Sequence, residues 1–493
     1  LETIIYRIYK RYIQKLQQKN RNENRLYFLL YEAIKHSIIE TEIPQGANLP
    51  PSRAMVKSIG VSRSTILKAY DLLVLEGYIE SRLGSGYYIK PLQAHATTEG
   101  SIDPNITYPE LSDLGRSFLE NVGLINSTDD QSVAFRPGVP PLDIFPVNQW
   151  KNLSNLYWRH IKSSALTYSP SSGNEQLKKN ITNYLNLSRG LKCDSRQIII
   201  VSGSLQSLYL AGSVVLNPND TVVMENPTFP NVHSIFKSLR AKIEGITIDE
   251  EGIQVDKIQS SATKIIHTTP SGHYPTGIRM SLKRRSELLE WVSENNSYII
   301  ENDFEHEISN YKDALPSLFS LDREGRTIYM GTFNRLLHPS IRIGYMVLPF
   351  PLLDPVEALL KHSHRFVPPS IQVVLNQFIE NKLLYSHVKN LIKTAQLRKQ
   401  LFVNLFEEQF SDSMTLVNKS SNSLHLLAVF KEGKENESII KEFAKKNIIV
   451  HAYSKCFIGH QKESGFILGY SSVRETLIQR RLMQMAEIYR QHP

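Results

Sequence analysis

Residues 46–89 read GANLPPSRAMVKSIGVSRSTILKAYDLLVLEGYIESRLGSGYYI, and the breakers in this stretch cut it into short elements. Pro50 and Pro51 precede Ser52, which starts a short helix. Gly60 ends it, because glycine accepts the left-handed conformation at which helices stop. Ser62 then caps a longer helix through Leu75, its hydroxyl placed to take a backbone N–H of the first turn. Gly77 closes that helix. Tyr78–Ser81 and Tyr87–Lys90 read as two strands around the tip Leu83-Gly84-Ser85-Gly86. Upstream, Leu26–Ile39 reads as a further helix, broken by Pro44 and Gly46. A short helix, a tight turn and a second helix place the second helix where it can enter the major groove of double-stranded DNA. Its first turn carries Arg63, Ser64 and Thr65, with Lys68 one turn on. Arginine is the side chain best shaped for two parallel hydrogen bonds to guanine, and hydroxyls bind phosphate or base edges. Any one of these residues alone reads as a solvated helix surface.

The charge agrees. The formal net charge is +9, and residues 1–90 hold 14 Lys and Arg against 8 Asp and Glu, an excess of six positive charges. A basic end of this kind suits a polyanion. Residues 3–16 place Ile4, Ile5, Ile8, Tyr12, Ile13 and Leu16 at helical spacing, with Arg7, Lys10, Arg11 and Lys15 between them. This N-terminal helical arm, residues 1–24, packs on its own domain or a partner in one reading and lies on DNA in another. Cys193 and Cys456 are the only cysteines in 493 residues, which excludes a disulfide framework and fits a reducing cytoplasm. No apolar run approaches the roughly 20 residues that span a bilayer, so no membrane partner is expected. The first twenty residues lack the apolar centre of a signal peptide.

The winged unit takes residues 25–92. Residues 93–131 are polar and read as a linker with one helix near Leu111–Val122. From about Ala134 strand-like runs alternate with helical ones: Ile198–Val201, Thr221–Met224, Lys264–His267, Ser297–Glu301 and Thr327–Met330. That alternation predicts an α/β domain over 132–493, with a mostly parallel sheet and crossover helices.

The motifs Pro51-Ser52-Arg53, Val61-Ser62-Arg63-Ser64-Thr65, Glu76-Gly77 and Gly84-Ser85-Gly86 closely resemble the winged helix domain of the GntR superfamily over about 65 residues. The resemblance implies DNA contact at Arg53, Ser62, Arg63, Thr65 and Gly86, with Lys68 and Arg82 beside them. The later segments FRPGVPPLDIFPVNQW (135–150), YSPSSGNEQLKKNITNYLNLSRGLKCDSRQIIIVSGSLQSL (168–208), ENPTFP (225–230), TTPSGHYPTGIRMSLKRR (268–285) and GTFNRLLHPSIRIGYMVLP (331–349) resemble fold-type I aminotransferases in order. The whole chain is similar to MocR-type regulators.

In that family pyridoxal phosphate lies at the C-terminal ends of the strands, its phosphate on a helix N-terminus. The resemblance puts Ser204 at that helix and Arg342 at the phosphate. It has Tyr168 reaching a partner subunit's phosphate and Phe229 stacking on the ring or simply packed. The chemistry is missing. Where the family has Ser-Lys, this chain has Asn334-Arg335, and a guanidinium cannot form the imine. No lysine stands between Lys312 and Lys361. Asn302 replaces the aspartate that pairs with the ring nitrogen; Asp303 could substitute, but neighbouring residues on a strand are expected on opposite faces. Phe304 replaces the tyrosine on the ring oxygen, Gly272-His273 the family's His-Gln, Leu205 the phosphate-loop Gln, and Ile467 the arginine that holds a substrate carboxylate in some relatives. The expectation is a homodimeric regulator without transaminase activity. Its second domain is either a relic kept for dimerisation or a retuned pocket, where Arg335 and Arg342 present two positive charges to a small anionic effector. Two alternatives stay open: pyridoxal phosphate held noncovalently, and a working aminotransferase, which needs a lysine at 335 and an aspartate at 302.

Overall fold

The computed structural model describes residues 2–18, 26–82, 85–91, 108–125, 134–308, 315–417, 419–432, 437–459 and 463–491. They form two compact units, Leu1–Pro109 and Glu110–Pro493. Among the described residues no helix is long and apolar enough to cross a membrane.

The first unit contains α1 (Glu2–Gln18), α2 (Leu26–Ile39), β1 (Asn48–Leu49), α3 (Ser52–Ile59), α4 (Arg63–Leu75), β2 (Ile79–Arg82) and β3 (Gly86–Ile89). Gly60 ends α3 at φ 77°, and Ser62 caps α4 by accepting from Thr65 N at 3.2 Å. The strands pair antiparallel in the order β1-β3-β2. Ile5, Ile8 and Tyr9 of α1 share one core with Leu30 and Ile34 of α2, Met55 of α3 and Ile66, Ala69, Tyr70 and Leu73 of α4. The arm is therefore part of this unit.

The second unit begins with α5 (Asp113–Asn121), α6 (Val147–His160), α7 (Glu175–Arg189), β4 (Ile198–Val201), α8 (Ser204–Val215), β5 (Thr221–Asn226), α9 (Pro230–Ser238), β6 (Lys242–Asp249), β7 (Gly252–Ile253) and β8 (Thr263–Thr268). It continues through α10 (Leu282–Glu294), β9 (Tyr298–Asn302), α11 (Leu318–Leu321), β10 (Thr327–Thr332), β11 (Gly344–Val347), α12 (Phe350–Ser363), α13 (Pro369–Glu380) and α14 (Leu383–Phe410). It closes with β12 (Met414–Val417), β13 (His425–Phe430), α15 (Glu437–Lys445), β14 (His451–Ala452), β15 (Gly465–Gly469) and α16 (Glu475–Gln491). The large sheet runs β4-β11-β10-β9-β8-β5-β6-β7; β11 is antiparallel to both neighbours and β7 to β6, the rest being parallel.

Both faces of this sheet are covered, as a parallel sheet requires. Ile199, Val201, Ile265, Ile300 and Ile328 point to one side, onto Leu208, Phe236 and Val356 of α8, α9 and α12. Ile198, Ile200, Tyr329 and Val347 point to the other, onto residues of α7, α13 and α14. The helix read within the linker, α5, packs on α9: Ser234 Oγ donates to Asn121 O at 2.9 Å, and Arg240 pairs with Asp113 at 3.2 Å. It thus belongs to the second unit, because its buried side covers α9. β12, β13, β15 and β14 form a separate antiparallel sheet.

Candidate functional site

The first turns of α3 and α4 are joined by Arg63, whose Nε donates to Ser52 Oγ at 3.3 Å. Arg53, Arg63, Ser64 and Lys68 are exposed. Ser62 Oγ lies 2.8 Å from both Ser64 Oγ and Thr65 Oγ1, so the hydroxyls at this end build the helix start as a cluster. Lys68 Nζ stands 5.8 Å over the Tyr27 ring. On the wing, Arg82 pairs with Glu80 at 2.6 Å and lies 4.4 Å over the Tyr88 ring, so its charge is partly engaged within the wing. Gly86 has φ 97°, and a Cβ there would come within 3.2 Å of Asn48 Oδ1. Leu83 and Gly84 lie outside the described residues.

In the second unit, strand alternation settles the polar ends of β9. Glu301 and Asp303 share a face with Arg189, which donates from Nε to Asp303 Oδ2 at 2.7 Å. Tyr329 OH donates to the same oxygen at 2.8 Å. Burial pushes the Asp303 pKa up, but Arg189 outweighs it and holds the carboxyl below its ordinary range. Asn302 takes the opposite face, where its Nδ2 lies 3.3 Å from His267 Nε2 on β8. Asn302 Oδ1 and His267 Nδ1 are buried without a hydrogen-bond partner among the described residues. Burial lowers the His267 pKa to about 3, so this pair is neutral.

Arg335 follows β10, and it is not a free positive charge. Its Nη1 donates to Glu305 Oε1 at 2.8 Å, its guanidinium lies 4.9 Å over the Phe304 ring, and it packs against Gly138, where a Cβ would sit 1.7 Å from Nη1. Glu305 Oε2 accepts from Ser423 Oγ at 2.7 Å and Leu424 N at 3.3 Å, just before β13. Ser423 Oγ is also 2.6 Å from His425 Nδ1, and His425 Nε2 is 3.2 Å from the Pro275 carbonyl. That carbonyl can only accept, so Nε2 carries the proton of a neutral ring. The single Ser423 hydroxyl hydrogen then serves either Glu305 or His425. Burial lowers the His425 pKa to about 4, with opposing contributions from Glu305 and Arg335.

Arg342, at φ 49°, is exposed and makes no ion pair among the described residues. The two-arginine anion site expected from sequence is therefore reduced to Arg342, since Glu305 neutralises Arg335. Ser204 opens α8, whose start has no side-chain cap among the described residues, and Asn334 Nδ2 stands 3.2 Å from the place a Gly203 Cβ would take. Asn334 Oδ1 accepts from Ile343 N at 3.2 Å. Gln206 Oε1 accepts from Ser202 N at 2.6 Å, closing the loop ahead of α8. His273 is engaged in its turn, with Nδ1 2.8 Å from Thr276 Oγ1 and Nε2 2.9 Å from Pro227 O. Phe229 packs edge-on against Tyr274 at 4.7 Å. Tyr168 is 80% exposed and lines a cavity of about 510 Å³ with Lys361 and Arg365.

Residues that sequence reasoning missed are Gly138, Gln206, His267, Glu305, Ser423 and His425. Gln206 acts locally, on Ser202, within a loop read only for its serines; the others acquire their meaning from partners far along the chain. At the positions where the resemblance would put an imine-forming amine and a ring-nitrogen partner, the residues do not fit pyridoxal phosphate as an imine: Arg335 is a guanidinium fixed by Glu305, and Asn302 is a neutral amide beside a neutral imidazole.

Two outcomes follow. Glu305→Ala leaves the Arg335 charge largely buried and unpaired and should cost on the order of 3 kcal/mol, whereas Glu305→Leu with Arg335→Met should cost clearly less. Denaturant unfolding of the three proteins checks this, and equal losses would contradict it. Second, His425 has a folded pKa below its unfolded value near 6.5. The stability linked to it is present above about pH 6.5 and is lost as pH falls towards about 4. His425→Gln should flatten that part of the stability–pH curve.

A model described as "Aminotransferase class I and II" matches residues 138–462, and one described as "Bacterial regulatory proteins, gntR family" matches 26–89. The chain is 28% identical over 444 residues to the "Probable rhizopine catabolism regulatory protein MocR" of Rhizobium meliloti, covering 90% of each. It is 25% identical over 461 residues to the "HTH-type pyridoxine biosynthesis transcriptional regulator PdxR" of Corynebacterium glutamicum, covering 93% of this chain and 94% of the relative. Among solved structures, an archaeal alanine:glyoxylate aminotransferase superposes with a TM-score of 0.68 at 21% identity, over 78% of this chain and 96% of that one, which shows the shared fold. The chain belongs to the aminotransferase class I and II family and carries ahead of that domain a gntR-family winged helix, the two-part build of the MocR-type transcription regulators.

Proposed function

We propose that the chain is a DNA-binding transcription regulator whose second unit pairs two copies and binds a small ligand without transaminating it. The observation that carries the reading is the exposed Arg63 and Ser64 on the first turn of α4, fixed by the Ser62 cap and tied to α3 through Ser52. The winged helix over 25–92 would read DNA, and the unit over 132–493 would dimerise. Five large apolar side chains between 147 and 168, Val147, Leu156, Trp158, Leu166 and Tyr168, are exposed, which supports pairing through the latter. Two copies suit a repeated or palindromic half-site. The place of action is the cytoplasm, where operator DNA is reached.

The lack of transaminase activity is supported by Arg335 and Asn302, which supply neither an amine nor a counter-charge to a ring nitrogen. A second reading keeps pyridoxal phosphate noncovalently. Its support is the uncapped start of α8 beside Asn334, together with the buried, unpartnered Asn302 Oδ1.

Arg63→Ala should cost roughly 1–3 kcal/mol on the selected operator and little on random DNA; equal loss on both would remove Arg63 from the reading role. With pyridoxal phosphate, the full-length protein should give no borohydride-reducible adduct on a pocket lysine. Such an adduct, mapped by mass spectrometry, would overturn the silent-site reading.

A further inference from the structure

We propose that α1 is a second DNA-contacting element, docked rigidly on α3 and carrying Arg7 and Lys10 to phosphates that flank the site read by α4. This rests on the DNA-binding reading above. α1 precedes the stretch that matches the gntR family, which begins at residue 26.

The first argument is rigidity. Ile5, Ile8 and Tyr9 are at most 6% exposed, and α1 packs on both α2 and α3. It is held at one further place. Arg11 makes two hydrogen bonds to Glu42, just beyond α2, at 2.6 and 2.8 Å. The backbone of the helix is therefore placed by packing, and binding would have to order only its exposed side chains.

The second argument is charge. With the apolar face buried, Arg7, Lys10 and Arg11 are on the exposed side. Arg11 is neutralised by Glu42, and Glu2 is the one acidic residue in α1. Among the residues of α1 whose side chains are described, Arg7 and Lys10 remain, with Lys10 Nζ 4.9 Å over the Tyr6 ring, an arrangement that leaves an ammonium its full charge. The helix they stand on lies against α3, which itself exposes Arg53 and Lys57. The first helix of a helix-turn-helix pair crosses the phosphate backbone, so a basic helix laid on α3 prolongs a phosphate-facing strip beyond the reading helix.

The test uses the full-length protein, a random-sequence duplex and the duplex the protein enriches from it. Binding is measured as salt is raised from about 50 to 200 mM. For every phosphate that is no longer neutralised, the magnitude of the slope of log K against log salt should fall by about 0.9. Arg7→Ala with Lys10→Ala should therefore lower it by about 1.8 per bound subunit, on both duplexes, leave the ratio between them unchanged, and shorten the footprint at its edges. Arg7→Lys with Lys10→Arg should keep the parent slope. If the alanine pair misfolds, as judged by hydrogen exchange in α3 and α4, Arg7→Gln with Lys10→Gln replaces it with the same expectation. An unchanged slope and footprint would overturn the proposal, and so would an unchanged slope with loss of the dimer in sedimentation, which would assign α1 to a second copy. If the parent itself shows no salt-dependent binding, the DNA-reading assignment has failed instead.

Discussion

The alternation of side chains at the end of β9 is the constraint on which the second unit's chemistry depends. Arg189 holds Asp303 on one face, together with Tyr329. That anchor leaves Asn302 no choice but the opposite face, beside His267. A carboxylate one residue along the strand cannot be borrowed, because turning Asp303 round would strip Arg189 of its buried partner. The missing counter-charge is thus a property of strand geometry as well as of residue identity.

A second tie runs between layers. Glu305 holds Arg335 with one oxygen and the backbone and hydroxyl at the start of β13 with the other. The side chain standing where the family keeps its nucleophile has become part of a bridge between the large sheet and the small antiparallel one. Gly138 makes room for it, since any Cβ there would collide with the guanidinium. Arg335 thus serves cohesion between the two sheets.

Much of the fold was legible. Pro50, Pro51, Gly60, Ser62 and Gly77 bound α3 and α4 because breakers and caps act locally. The Val- and Ile-rich runs gave β4, β5, β8, β9 and β10 because a parallel sheet buried on both faces needs uninterrupted apolar strands. β1 escaped notice, as a two-residue strand is defined only by its pairing with β3. The small sheet of β12 to β15 lay hidden for a related reason: its strands are antiparallel neighbours joined through α15 and long connections. At the site, the substitutions at Arg335, Asn302 and Phe304 were visible against the family pattern. Their consequences were not, since Glu305 and Ser423 are 118 residues apart and His267 and Asn302 are 35 apart. Pairings between distant side chains have no period.

The bridge through Glu305 also bears on how this sequence could move through sequence space. Were a lysine to arise at 335, its ammonium would inherit Glu305 as a neighbour, and an adjacent carboxylate favours the protonated, non-nucleophilic form. Restoring an imine-forming amine would require that carboxylate to be removed as well, which in turn frees Ser423 and the start of β13 from their acceptor. Each step alone disturbs a tie that the other leaves in place. On the proposed reading the arrangement would work as a ratchet, because position 335 is tied through Glu305 to the start of β13.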